Sequence, residues 1–157
     1  METFQKPRSG FFVFLGVLSF IGNGLALFFN GITLLFIETI QEFMREGDVK
    51  EMMEDIFGEV VFQPEEWELI GNTMAAAPIL STIKLVAAVG SIIGVYMLFK
   101  GKSQGFLWYL TAQLIELVLP ILIVDKMGLP ILGFAITCLF LAVYYVESKR
   151  LSVIEQQ

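Results

Sequence analysis

Between Arg8 and Glu38 the chain runs for 29 residues (9–37) without a charged side chain. Three further apolar runs follow, at about 75–99, 103–124 and 127–146. About 20 helical residues cross a ~30 Å hydrocarbon core, so an apolar run of 18 or more reads as a transmembrane helix. Four such runs in 157 residues leave room for one membrane domain, 1–157, and no separate soluble domain. The fold class expected is all-α: an antiparallel four-helix transmembrane bundle. The first span is read at 10–37, and an acidic, amphipathic, extracytoplasmic helical cap at 38–72 leads to the second. A tail occupies 147–157.

Composition agrees. The chain is 56% hydrophobic and 17% charged, whereas soluble domains sit near 45–50% and about 25%. The net charge of −6 hides an asymmetry. Eleven acidic residues lie between Glu38 and Glu68 against Arg45 and Lys50, while the rest carries five acidic and eight basic residues. Nothing forms the basic face that nucleic acid requires, so no nucleic-acid partner is expected. The opening Lys6 and Arg8 followed by an apolar run resembles a signal sequence. The run is longer than a 7–15-residue signal core, so it reads as an uncleaved anchor forming the first span.

Basic residues collect on the cytoplasmic side of a membrane. Lys6 and Arg8, Lys100 and Lys102, and Lys149 and Arg150 all fall on one side of a four-span chain. Both termini are therefore expected in the cytoplasm, with a bacterial inner membrane as the location. Tyr96, Trp108, Tyr109, Tyr144 and Tyr145 fall near that interface and Trp67 near the other, as an aromatic belt would.

In the first run Gly16, Asn23 and Asn30 are seven apart, with Gly24 and Gly31 beside them and Ser19 and Gly22 nearby. Small residues let helices approach and Asn can bond across the contact. The face reads as helix packing or, more sharply, as a substrate lining. Gly90-x-x-x-Gly94 in the second run is another helix-contact pattern. In the cap, Phe43, Met52, Met53, Ile56 and Phe57 recur at helical spacing, with breaks at Gly47 and Gly58. These residues form a candidate partner-docking surface. Gln63-Pro64-Glu65-Glu66 reads as the turn that starts the next helix.

Lys84 and Glu116 are read as the charges deep within spans, where an ionisable group is costly unless paired or hydrated. Counted at 1.5 Å per residue, Lys84 lies roughly 10 Å and Glu116 about 13 Å below the same outer edge. The match points to an interhelical ion pair, supported by Gln113 and Asn23. The alternative is that Glu116 is a proton or cation site facing an aqueous pocket.

No catalytic set is evident. Histidine is absent, and the one cysteine, Cys138, sits alone in the last run. No phosphate-binding glycine loop or HExxH is present, and the acidic cap lacks the spacing of a dedicated calcium loop. The chain reads as non-enzymatic, with no cofactor and no metal.

The opening Gly10-Phe11-Phe12-Val13-Phe14-Leu15, then Leu18-Ser19-Phe20-Ile21-Gly22, resembles small four-helix integral membrane proteins of Bacteroidota. Lys102-x-x-Gly105-Phe106 followed by Tyr109-x-x-Ala112-Gln113 is similar to them as well. The resemblance covers most of the chain and implies a fold, without an activity. The expected partners are the lipid bilayer and either another membrane protein or further copies of this chain. The expected role is an accessory or assembly subunit of a larger membrane complex. A small homo-oligomeric transporter or channel using Glu116 is the alternative.

Overall fold

A computed structural model describes residues 9–45, 55, 64–124 and 131–155. The elements among the described residues are helices: α1 Gly10–Leu35, α2 Ile37–Arg45, α3 Pro64–Ala75, α4 Ala77–Phe99, α5 Gly105–Ile123 and α6 Ile131–Glu155. Four segments are long and apolar enough to cross a membrane: α1, α4, α5 and Ile131–Ile154 of α6. Within the chain only 33% of the α4 span and 11% of the α6 span are buried. Their remaining apolar surface, with that of Phe14, Phe28, Phe29 and Leu122, far exceeds what a soluble monomer exposes. The molecule is an integral membrane protein built as a helical bundle.

Local chemistry sets the helix ends. Ser9 caps α1, its Oγ accepting the Phe12 N–H at 3.1 Å, one of the donors that a helix start leaves unpaired. α1 does not run on past the apolar stretch as one rod; it ends at Leu35, and α2 begins after Phe36. The offset gives Gln41 a partner. Its Nε2 donates to the Met74 carbonyl at 3.2 Å. That carbonyl would ordinarily accept from residue 78, which is Pro78 and has no N–H. The α3–α4 joint is thus closed by a side chain from α2.

α4 ends in a Schellman motif. Lys102 N–H reaches the Met97 carbonyl at 2.9 Å and Gly101 N–H the Leu98 carbonyl at 3.0 Å. Gly101 holds φ 81°, a conformation that glycine adopts without penalty. The turn delivers the chain into α5, which packs along α4 at backbone range. A Cβ on Gly94 would stand 2.6 Å from the Tyr109 nitrogen and 2.7 Å from the Gly105 oxygen. At Gly90 the nearest neighbour would be the Ala112 Cβ, at 3.1 Å. α4 also packs closely on α1, where a Cβ on Gly16 would meet the Phe99 ring. α6 lies more loosely against α5 and α1.

The core gathers at one end of the bundle around Phe12, Val95, Leu98, Tyr109, Tyr144 and Leu151. Tyr109 and Tyr144 are therefore not belt residues; they are buried and meet edge to face at 4.6 Å. Tyr96, Trp108 and Tyr145 are exposed, and Lys100 and Lys149 sit over the Tyr96 and Tyr145 rings. The segment read as a tail from residue 147 continues α6 to Glu155. Tyr144, Glu147 and Leu151 form a buried stripe at helical spacing, so packing carries the helix past the end of its apolar run.

Candidate functional site

The polar side chains of the span interior meet at Gln113. From α5 its Nε2 donates to Ser91 Oγ on α4 at 3.1 Å, and its Oε1 accepts the Thr137 hydroxyl of α6 at 3.4 Å. Ser91 is fully buried between the helices. One amide thus ties three spans together, a use of side-chain bonding suited to lipid, where no water competes.

Glu116 lies three residues further along α5, on the same face as Gln113. Two clefts flank this point, and both are lined by Gln113, Glu116 and Thr137. The first, about 320 Å³, lies among α4, α5 and α6 and also takes Lys84 and Pro120. The second, about 340 Å³, lies among α1, α5 and α6 and takes Ser19, Gly22, Asn23, Tyr109 and Phe140. Glu116 is a shared wall. Pro120, four residues on, cannot donate to the Glu116 carbonyl.

Lys84 and Glu116 both line the first cleft. Among the described residues, however, no ion pair joins them: the direct bridge expected from sequence is absent. Lys84 is exposed on the flank of α4. Depth along two helices is set by residue count, but lateral distance depends on rotation about each axis.

The α1 asparagines bond differently from expectation. Asn23 Nδ2 donates to the Ser19 carbonyl at 2.8 Å, and Asn30 Nδ2 to the Ala26 carbonyl at 2.7 Å. Both use the preceding turn of their own helix, so neither amide nitrogen bridges spans. Among the described residues, a Cβ on Gly24 or Gly31 would meet nothing within 4 Å, so neither sits in a close contact within the chain. Of the α1 small-residue face, Gly16 packs on α4, while Ser19, Gly22 and Asn23 line the second cleft.

The bond that does cross from α1 comes from Tyr144 of α6, which reaches Ser19 and Leu15. Sequence reading treated Tyr144 as interfacial; its three-residue spacing from Glu147 and seven-residue spacing from Leu151 was the available signal for burial. Glu147 was likewise missed. It is 5% exposed, its Oε2 is 3.5 Å from Arg150 Nη1, and its Oε1 is buried without a hydrogen-bond partner. Cys138 is exposed on α6. Of the cap residues, Phe43 falls within α2, and Met52, Met53, Ile56 and Phe57 lie outside the described residues. So do the breaks expected at Gly47 and Gly58. Among the described residues no group of three or more His, Cys, Asp or Glu stands together as a metal set.

No family model, no curated protein and no solved structure matches this chain.

Proposed function

We propose that this membrane protein is a small, non-enzymatic transporter or channel acting as a homo-oligomer, with Glu116 as its proton or cation site. The observation that carries the reading is Glu116 itself: a carboxylate well inside a span that lines two clefts and has no ion pair among the described residues. An ionisable group at such depth is expensive unless it serves a site. A structural role as half of a buried ion pair predicts a direct contact with Lys84, and that contact is missing.

The orientation that goes with this reading is an antiparallel bundle in a bacterial inner membrane, both termini cytoplasmic and the 38–72 segment outside. Three contacts support it. Ser148 Oγ donates to the Ser103 carbonyl at 2.9 Å, which brings Lys149 and Arg150 beside Lys100 and Lys102. The Phe12 ring lies 5.8 Å from Tyr144, which brings the start of α1 to the same end. Gly94 with Tyr109 and Gly90 with Ala112 pair in opposite sequence directions. The basic rim so formed follows the positive-inside rule.

The test is flux. Protein reconstituted in liposomes is expected to pass protons or sodium down an imposed gradient, and Glu116→Gln is expected to abolish it. Equal leak from wild type, Glu116→Gln and empty liposomes would remove the reading.

One observation favours the second reading, an accessory subunit of a membrane complex. The first turns of α6 are exposed all round, Ile131, Leu132, Phe134 and Ile136 included, so this end of the helix lacks the packing that a partner in the membrane would supply. Purification of tagged protein in mild detergent with mass spectrometry of its companions separates the two. A stoichiometric partner supports the subunit, and a pure homo-oligomer supports the transporter.

A further inference from the structure

The cleft among α1, α5 and α6 has a chemistry of its own. Among its lining residues Glu116 is the single charged group, because Lys84 lies only in the neighbouring cleft. A hard divalent cation wants six or more oxygen ligands, and this lining offers few. The Ser19 hydroxyl is engaged with Tyr144, and the Gln113 Oε1 with Thr137. What remains is one carboxylate, the Asn23 amide oxygen, the Phe140 ring with the small part of buried Tyr109 that reaches the lining, and the space left by Gly22, where a Cβ would meet nothing within 4 Å. That set suits a weakly hydrated cation with an apolar skin: the carboxylate supplies charge in a low-dielectric setting, and aromatic rings attract quaternary ammonium groups.

We infer that this cleft binds a small organic ammonium cation, with Glu116 as counter-ion and Tyr109 and Phe140 as aromatic walls; the inference rests on Glu116 being an intramembrane cation site. Lys84, in the neighbouring first cleft, is the protein's own cation near the same carboxylate, without a direct ion pair. It opposes the ligand because Glu116 is a wall of both clefts and cannot serve two cations fully.

The experiment is isothermal titration of the full chain in detergent with tetraethylammonium chloride, against sodium chloride at equal concentration. Wild type is expected to give saturable binding. Glu116→Gln removes the counter-charge and is expected to weaken binding by about tenfold or more. Gly22→Leu fills the cleft while leaving every charge in place, and is expected to abolish binding. It also decides the matter if Glu116→Gln fails to fold. Lys84→Met is expected to tighten binding several-fold.

Absence of saturable binding in the wild type, or an affinity unchanged by Gly22→Leu or Glu116→Gln, overturns the ammonium site. An unchanged affinity in Lys84→Met overturns the competitor role of Lys84. Glu116-dependent proton or sodium flux without tetraethylammonium binding sinks the ammonium site and leaves the transporter reading standing. Loss of both sinks both.

Discussion

The Tyr144 hydroxyl lies 2.7 Å from Ser19 Oγ and donates to the Leu15 carbonyl at 3.2 Å. Leu15 lies one turn before Ser19, so its carbonyl is the one a helical serine would itself reach. Tyr144 has taken that acceptor, and Ser19 donates to Tyr144 instead. One phenol thereby fixes α6 to α1, two helices that otherwise touch little. Tyr144→Phe is expected to lower stability by about 1 kcal/mol, since Ser19 can then turn back to Leu15. Tyr144→Ala empties a fully buried site and is expected to cost about 3–5 kcal/mol. Thermal unfolding of detergent-solubilised protein, followed by circular dichroism, measures both.

Gln113 holds three spans with one amide. Gln113→Leu keeps volume and removes both bonds. Interhelical hydrogen bonds in membranes average about 0.6 kcal/mol and reach about 1.7, so the loss is expected in that range and the fold should survive. Complete loss of folded protein would show that the Ser91–Gln113–Thr137 chain matters more than its individual bonds.

The glycines separate into two classes. Gly94→Ala drives a methyl into the backbone of α5, which cannot yield as a flexible side chain would. The α4–α5 contact is expected to open, with a fall in melting temperature well beyond that of Gly90→Ala, whose methyl meets only Ala112. Gly24→Ala and Gly31→Ala have free space and gain helix propensity, so neither should lower the melting temperature. Comparison of the four variants by thermal unfolding is the measurement.

Because Lys84 and Glu116 do not touch, charge reversal has a definite expected result. The double variant Lys84→Glu with Glu116→Lys should not recover whatever expression Glu116→Lys alone loses, whereas Lys84→Met alone should leave monodisperse protein on size-exclusion chromatography. Full recovery in the double variant would show a direct pair.

Glu147 carries a buried oxygen with no partner and a weak contact to Arg150. A buried unsatisfied polar atom costs about 1–3 kcal/mol. Glu147→Met keeps the length and removes the charge, and is expected to raise the melting temperature or leave it level. A clear fall would show that the carboxylate holds the end of the bundle together.

The spans were legible because hydrophobic runs of membrane length leave a chain few choices. So was the joint at Pro64, where proline and two acids announce a helix start. What sequence could not give is rotation about each axis. Gly16 and Gly24 both belong to the small-residue side of α1, about 80° apart, yet one meets a phenylalanine ring and the other meets nothing. Tyr144 and Tyr145 are neighbours in sequence; one is core and the other exposed. Matched residue counts paired Lys84 with Glu116, but whether they touch depends on helix facing, and they line one cleft without an ion pair. Glu147 escaped notice because the apolar run ends before it, and only the tertiary contacts of the last turns bury it.

The hydrogen bond from Gln41 to the Met74 carbonyl closes a loop of 32 intervening residues. The entropy of closing such a loop changes by only about 0.6 kcal/mol when its length doubles. Loop closure alone therefore sets little limit on the length of chain between Gln41 and Met74, provided that bond is kept. A change of length between these two residues is thus a milder perturbation than loss of the bond that closes them: Gln41→Leu frees the Met74 carbonyl, which Pro78 cannot serve.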